Sequence, residues 1–342
     1  MSAAPAARQA GLAIAAGYLA DLALADPRCL HPVAGFGWVA GRAETLLYGP
    51  DRRRGVAFAG LLVAFAGIAG ELAARLADHV VGTRQAGLGR MAVLGLLTWI
   101  TLGGRSLTRV AGRLADEVDA GDLDAARATV PSLCGRDPQT LDGAELTRAG
   151  VESVAENTSD AIVGALIWAA IAGPAGAAGY RAANTLDAIV GHRTPRYAEF
   201  GWASARLDDL VGFPAARLSA VLAVACAPVV GGSAAAAWAA FRRDGSSHPS
   251  PNAGRVEAAF AGALGVRLGG GLTYAGMPEV RPVIGTGRRP TTADLRRANR
   301  LSLAVGAAAA LCCAVLRSLV RRRPGAGRPT AHGAPGRSRA AS

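Results

Sequence analysis

Six apolar stretches separated by polar segments constrain this chain more than any other feature. Hydrophobic residues make up 51% of the sequence and are gathered into blocks. Several blocks approach the ~20 apolar residues that a helix needs to cross a bilayer, whereas the first and third are shorter. No convincing strand alternation and no internal repeat accompany them. The sequence therefore predicts an all-α, polytopic integral membrane protein with four to six membrane segments and helical extramembrane loops. The blocks are residues 11–24, 56–74, 91–104, 161–180, 213–241 and 301–320.

A polar segment directly before the fourth apolar stretch carries the first candidate site. If it is helical, a period of four places its charged side chains on one face. Asp142 and Glu145 form a capping box that would begin this helix. A solvated face with one Arg148–Glu152 ion pair explains the spacing equally well. The adjacent apolar stretch favours function, because charge is costly there unless it is used. The face consists of Arg148, Glu152, Glu156 and Asp160, with Ser153 and Asn157 beside it.

The fourth apolar stretch contains Gly173 and Pro174, which kink or break a helix. A single crossing of the membrane would put Glu156 and Asp187 on opposite sides. If both serve one site, the stretch must be a broken or re-entrant element, or the two residues must approach through the protein interior. Broken helices at membrane depth are tolerated where they line a cavity. The sequence leaves this choice open.

A second polar region contains two pairs of residues three positions apart, Asn184 with Asp187 and Arg206 with Asp209. This spacing makes each pair neighbours on a helix face. Asp208 and Asp209 are adjacent and cannot share one face, so we expect at most one of them to reach a given ligand. An arginine–aspartate surface pair is the alternative interpretation of Arg206 and Asp209.

Turn-rich segments add candidates before and after this region. Asp26 and His31 lie in a turn punctuated by prolines, and the loop with Ser250 and Asn252 leads into a short helix predicted over residues 256–266. The glycines at 269–271 would let backbone approach a phosphate or a planar ring. A flexible connector is the alternative for these glycines.

Arginine supplies all 37 basic residues, because the chain contains no lysine. This excludes a Walker A lysine, a Schiff base on a side chain and a lysine general base. The net charge of +12 does not indicate nucleic acid, since the arginines are dispersed among apolar stretches without a nucleic-acid motif. A membrane surface and an anionic substrate are the expected partners. Arginines at 52–54 and 321–323 flank apolar stretches, as cytoplasmic charges do.

Five blocks of sequence resemble one known family. They are V-E-S-V-A-E-N-T-S-D, N-T-L-D-A-I-V-G-H-R, F-G-W-A-S-A-R-L-D-D, S-P-N-A-G and G-A-L-G-V-R-L-G-G. In this order, within a match from near Asp21 to about Tyr274, they resemble the membrane-bound CobD/CbiB family of cobalamin biosynthesis. The D-P and H-P-V elements at Asp26 and His31 recur in that family. Where the family usually has a lysine, this chain has Arg181, which keeps an electrostatic role but not proton transfer.

The resemblance implies an adenosylcobinamide-phosphate synthase. Such a ligase joins a propionate of adenosylcobyric acid to the amine of aminopropanol or its O-phosphate, and we expect it to use ATP and Mg²⁺ with the corrinoid as substrate. A carboxylate is a poor acyl donor, so the reaction needs carboxylates for the metal, cations for phosphates, and a base or dry pocket for the amine. No recognised nucleotide-binding signature is present, which leaves an atypical site or a partner protein as the source of activation.

Chemistry then assigns roles to the candidates. Glu152 is the expected base, and Glu156, Asp187 and Asp209 complete the catalytic set. The expected metal ligands are Glu156, Asp160, Asp187 and Asp209. The expected substrate-binding residues are Asp26, His31, Arg148, Asn157, Arg181, Asn184, Arg193, Arg206, Ser250 and Asn252.

The expected organisation is one membrane domain over residues 1–320 and a basic disordered tail over 321–342. Extramembrane loops are expected near 105–160, 181–211 and 242–300. The chain should be a multi-pass protein of the cell membrane, with other corrinoid-pathway enzymes as possible partners. Two other classes remain open: a transporter of a corrinoid or small cation, and a non-catalytic membrane scaffold for corrinoid enzymes.

Overall fold

The structure, a computed structural model, describes residues 3–27, 31–82, 87–135, 137–139, 141–192, 194–274 and 277–319. Within these ranges the chain is helical apart from one β-hairpin. Five helical segments are long and apolar enough to cross a membrane, which confirms the predicted polytopic membrane fold. A shorter apolar helix covers Gln9–Leu24. The five segments are Arg52–Val81, Leu88–Asp119, Gly143–Val190, Trp202–Val230 and Thr292–Leu319.

Helices α1 to α12 and strands β1 and β2 follow one another along the described chain. A π-helical segment, Thr158–Val163, joins α7 to α8. The helices are α1 Ala3–Leu24, α2 Pro32–Leu47, α3 Arg52–Val81, α4 Leu88–Thr101, α5 Gly104–Asp119, α6 Leu123–Thr129, α7 Gly143–Asn157, α8 Gly164–Val190, α9 Trp202–Cys226, α10 Ala234–Asp244, α11 Ala253–Leu264 and α12 Thr292–Leu319, and the strands are β1 Leu268–Tyr274 and β2 Met277–Ile284.

Contacts between helices define the two ends of the membrane bundle. Gly11 on α1 lies against Ala314, and the Tyr18 hydroxyl donates to the Leu303 carbonyl at 3.3 Å, so α1 is antiparallel to α12. Near the other end of α1, Trp99 on α4 donates to the carbonyl of Ala25 at 3.0 Å, so α1 and α4 end together. Helix α3 is antiparallel to α4. We call the end where α1 and α4 finish and α3 and α12 begin the loop side.

The two ends of α3 and α12 can be assigned to the two ends of the bundle. Both helices begin on the loop side, so α3 starts at Arg52 on that side and α12 ends at Leu319 at the opposite end. The arginines at 52–54 therefore lie on the loop side. Residues 321–342, including the expected tail, lie outside the described residues.

Helix α9 differs from a simple membrane crossing although its composition permits one. Its start follows Phe200, whose carbonyl lies against Gly55 on the loop side. The turn after α9 ends at Val230, whose carbonyl accepts a hydrogen bond from Arg297 near the start of α12 at 3.0 Å. Both ends of α9 thus contact the loop side. The stretch 213–241, expected as one segment, is instead divided between α9 and α10, with Gly231 at φ 67° in the connection.

The extramembrane helices agree with the sequence pattern. Helices α5 and α6 lie in the part of the chain expected to be an extramembrane loop, and Asp122 is the N-cap of α6. Asp142 and Glu145 form the expected capping box at the start of α7. Because both caps satisfy backbone N–H groups that a helix start leaves unpaired, the ends of these helices were readable from sequence.

One region differs from the purely helical expectation. Strands β1 and β2 pair as an antiparallel hairpin with an irregularity between Leu268 and Gly270. Gly269 and Gly270 have φ angles of 79° and 91°, a region that side chains other than glycine rarely adopt. The glycines at 269–271 are thus part of a strand and not a flexible connector. A strand whose centre is three glycines carries no side-chain alternation, which is why the pattern missed it.

Candidate functional site

Helix α8 folds back on itself at Gly173. Gly173 has φ 64° and ψ −142°, and Pro174 begins the second half of the helix. The Tyr180 hydroxyl donates to the Asp160 carbonyl at 3.0 Å, although 20 residues of straight helix would span about 30 Å. A Cβ on Gly176 would lie 2.2 Å from the Trp168 carbonyl oxygen. The stretch is therefore the re-entrant element, and both of its ends lie on the loop side.

The residues at the turn explain this reversal. A glycine with positive φ is a common residue just after a helix end, and proline fits the first position of a helix because its missing N–H is not needed there. The first half of α8 leaves its last carbonyls unpaired, and Arg317 of α12 donates to that of Ala170 at 3.2 Å. The tip of the re-entrant hairpin is thus fixed to α12.

A π-helical segment lies at the base of the hairpin. Its carbonyls gain partners from other elements: that of Asp160 accepts the Tyr180 hydroxyl, and that of Ala161 accepts the N–H of Gly103 at 3.1 Å. Beside them, the hydroxyls of Thr158 and Ser302 are bonded at 2.7 Å. π-Helical turns are rare and often occur at functional sites. Here the turn holds Asp160 at the point where α5, α8 and α12 meet.

The reversal gathers four carboxylates, which we call the acidic cluster: Glu156, Asp160, Asp187 and Asp208. Asp160 interacts electrostatically with the other three. Asp208 accepts a hydrogen bond from the Asn184 amide at 3.3 Å. All four side chains are half-buried. Like charges repel one another more strongly when they are partly buried, so this arrangement favours a bound cation or shared protons.

Arg181 is the cation that accompanies the acidic cluster. Its guanidinium donates to the Asn184 side-chain oxygen at 3.2 Å and interacts electrostatically with Asp26, Asp160 and Asp208. Its Nε has no hydrogen-bond partner among the described residues. Asp26 in turn lies 3.8 Å from His31, which also caps the start of α2. A guanidinium N–H without a partner can donate to an anionic oxygen.

Arg148 and Glu152 lie on α7 away from the acidic cluster, where they contact the β-hairpin. The Arg148 guanidinium donates to the carbonyls of Gly269 and Gly271, the latter at 2.7 Å. The Glu152 carboxylate accepts the N–H of Gly269 at 2.7 Å and is only 4% exposed. These bonds fix backbone of β1 to α7, whereas the expectations for Glu152 and Arg148 were a base and an anion clamp. The role of Glu152 as a base stays a prediction without support from its position.

Four further expected residues make bonds within the protein. Ser250 accepts backbone N–H groups at the start of α11. Asn252 is buried between the Asp209 carbonyl, at 2.8 Å, and the Arg217 guanidinium, at 2.6 Å. Arg206 pairs with the Asp209 carboxylate at 3.3 Å, as the surface-pair alternative proposed. The Asn157 amide is bonded to Ser153. Arg193 lies outside the described residues.

The acidic cluster suits a magnesium ion that shares its ligands with a substrate. Mg²⁺ binds oxygen ligands and usually takes only one or two carboxylates from the protein, together with substrate oxygens and water. The cluster supplies oxygen donors alone. In the described parts of the chain, no three His, Cys, Asp or Glu side chains converge closely enough to hold an ion by themselves. The metal set of Glu156, Asp160, Asp187 and Asp209 stays a prediction.

Sequence reasoning missed two members of this site. Asp208 accepts the Asn184 amide, whereas Asp209 pairs with Arg206 and also interacts electrostatically with Asp187, because adjacent residues of a helix point in different directions. Tyr180 was read only as the end of an apolar stretch, yet its hydroxyl fixes the hairpin base. Gly164 is the residue that the Tyr180 hydroxyl contacts. A Cβ at position 164 would lie 2.0 Å from the Tyr180 oxygen, so a small residue is required there.

Comparison with known proteins gives consistent relatives. The family model described as CobD/Cbib protein matches residues 14–302. A protein of Mycobacterium tuberculosis (strain CDC 1551 / Oshkosh), named Cobalamin biosynthesis protein CobD, is 50% identical over 308 residues, which cover 90% of this chain and 95% of that protein. Proteins of the same name from Pelobacter propionicus and Rhodobacter capsulatus are each 43% identical, covering 80% and 81% of this chain and 84% and 88% of their own. No solved structure matches the chain at a significant level.

Proposed function

The chain belongs to the CobD/CbiB family of cobalamin biosynthesis proteins, and on that basis we propose that it forms an amide bond on a corrinoid. The substrate would be adenosylcobyric acid, whose propionate would be joined to the amine of aminopropanol or its O-phosphate. The product would be adenosylcobinamide or its phosphate. The observation that carries this proposal is the convergence of the acidic cluster and Arg181 at the base of the re-entrant hairpin.

Each part of this site has a task in amide formation. ATP would supply the activation that turns the propionate into an acyl donor, and Mg²⁺ would balance the phosphate charge. Arg181 would bind an anionic oxygen of the substrate, with its guanidinium oriented by Asn184. The carboxylate of Asp160 or Asp208 would first accept a proton from the ammonium form of the amine. The neutral amine would then attack the activated propionate carbonyl, and the bond from that carbonyl carbon to the phosphate oxygen would break and release phosphate. Glu156 and Asp187 complete the oxygen donors for the metal.

A reconstitution with the purified full chain in detergent tests this proposal. The reaction contains adenosylcobyric acid, ATP, Mg²⁺ and either aminopropanol or its phosphate, and the corrinoid mass is followed. We expect the amide product only when all components are present, and a loss of about 100-fold or more in Asp208→Asn and Asp160→Asn. Asp124→Asn is the matched control, because Asp124 is 96% exposed and its ion pair among the described residues is with Arg127 at the surface. Full activity of both cluster variants would refute the site.

A transporter is the second candidate, and the re-entrant hairpin is the observation that favours it. Broken helices with charged residues beside them also bind substrates in membrane transporters. Sealed vesicles containing the protein separate the two functions. A transporter would accumulate the corrinoid inside the vesicles without changing the mass of the corrinoid. The proposed ligase would change that mass both in vesicles and in detergent solution, where no sealed compartment exists.

A further inference from the structure

A cavity of about 260 Å³ lies where the start of α7 meets the β-hairpin. It is separate from the acidic cluster, because its lining comes from the first two turns of α7, from β1 and from the segment before α12. Three arginines face it: Arg148, Arg267 and Arg289. Part of its wall is the bare backbone of the glycines at 269–271.

The lining of this cavity is positively charged, and two of its guanidinium groups can bind a ligand. Arg267 and Arg289 are exposed, and neither side chain has an ion pair or a hydrogen bond with another described residue that would occupy its guanidinium. The one carboxylate in the lining is that of Glu145, and it accepts the N–H of Asp142 in the capping box. Arginine binds phosphate with paired N–H groups, so two unoccupied guanidinium groups favour an anion with several oxygens.

The glycine wall is held in place, and side chains are disfavoured at two of its three glycines. Gly269 and Gly270 have positive φ, and a Cβ on Gly269 would lie 2.1 Å from the Pro282 carbonyl oxygen. Glu152 and Arg148 bond to this backbone from α7, which holds the wall in place. Backbone without side chains beside guanidinium groups leaves room for a phosphate to approach those groups closely.

We propose that this cavity binds the phosphate groups of a small phosphorylated ligand. The identity of the ligand rests on the proposed function, which offers two sources: ATP and the phosphate ester of the amine donor. Eight residues of α7 separate Arg148 from Glu156, or about 12 Å. A phosphorylated three-carbon amine is too short to occupy the cavity and place its amine in the acidic cluster, whereas the longer triphosphate of a nucleotide can lie in the cavity with its terminal phosphate directed toward the cluster. The geometry therefore favours the nucleotide.

Equilibrium dialysis of the full chain in detergent, with radiolabelled ATP and separately with aminopropanol phosphate, tests the cavity without requiring turnover. The variant is Arg267→Gln with Arg289→Gln. The matched control is Arg109→Gln with Arg242→Gln, which removes the same charge from exposed arginines outside the cavity. We expect the first pair to weaken ATP binding by about tenfold or more and to lower its salt dependence, and the control pair to change it less than about twofold.

The outcomes separate this inference from the proposed reaction. If only aminopropanol phosphate binds and the cavity pair abolishes its binding, the cavity is supported with the ester as its ligand. Equal effects of the two pairs, or none, overturn the cavity even if the amide is made. Loss of ATP binding in the cavity pair supports the cavity even if wild-type protein makes no amide, in which case the proposed reaction alone fails. Unchanged corrinoid binding by the cavity pair confirms that it is folded.

Discussion

Glu152 provides the sharpest test of how α7 works, because its two possible roles predict opposite results. As a base it would be needed for turnover. As an anchor it holds the N–H of Gly269 and lies 4.0 Å from the Arg148 guanidinium. We expect the anchor, since a base must reach a substrate and this carboxylate is occupied by backbone at 2.7 Å. The perturbations are Glu152→Gln and Glu152→Ala.

The structure sets the size of each effect. Glutamine keeps an oxygen that can accept the Gly269 N–H, so it loses only the charge contribution, about 1 kcal/mol. Alanine leaves a buried N–H without a partner and Arg148 without its carboxylate, at a cost of about 2–4 kcal/mol. A free-energy change of about 1.4 kcal/mol changes an equilibrium constant tenfold. The open state of the β-hairpin should therefore be roughly fivefold more populated in the glutamine variant and at least about 30-fold more populated in the alanine variant.

Trypsin cleavage of the Arg267–Leu268 bond measures this opening, because the bond lies directly before the anchored glycine. The fragment is quantified by mass, together with the amide product. Glu152→Gln should retain most turnover, and Glu156→Gln should lose turnover with normal cleavage of the hairpin. A Glu152→Gln variant with wild-type cleavage and a turnover reduced 100-fold or more would refute the anchor and restore Glu152 as the base.

Three further outcomes follow from individual contacts. Gly164→Ala places a methyl group 2.0 Å from the Tyr180 oxygen, so it should reduce turnover at least as much as Tyr180→Phe; equal activity of the alanine variant and wild type would contradict this. Arg317→Met should cost about 1–3 kcal/mol in resistance to thermal inactivation, because the Ala170 carbonyl loses its donor, and Arg317→Lys should recover part of it. Burial alone would raise the pKa of Asp244, but hydrogen bonds from Arg243 and Gly285 outweigh burial and lower it. Asp244 therefore stabilises the fold above the ordinary pKa of about 3.9 and loses this effect as pH falls through its folded value, so the stability difference from Asp244→Asn should shrink below about pH 4.

Features that depend on residues close together in the chain are predicted well from this sequence. The apolar stretches, the Asp142–Glu145 capping box and the break at Gly173 and Pro174 each depend on neighbouring residues, and each is confirmed. The carboxylates of Glu156 and Asp187 both interact electrostatically with Asp160. Polar residues beside apolar stretches drew attention to all three, because burying them is costly.

Tertiary partners were the part that sequence could not supply. Glu152 and Arg148 share a face with Glu156, yet they bond to glycines more than a hundred residues later, whose strand has no side-chain pattern. The choice between Asp208 and Asp209 depends on the rotation of α9 against α8, which spacing along α9 does not fix. The sequence also did not show that both ends of α9 contact the loop side, because the composition of α9 permits a membrane crossing.

The contacts of the re-entrant hairpin also determine when during biosynthesis the site can exist. Its tip is bonded to Arg317 and its base to Ser302, and both belong to α12, the last helix of the described chain. On a ribosome, α7 and α8 emerge more than a hundred residues before those partners. The contacts that fix the hairpin can therefore form only after α12 has been translated. A chain shortened before residue 317 would lack the donor for the Ala170 carbonyl at the tip.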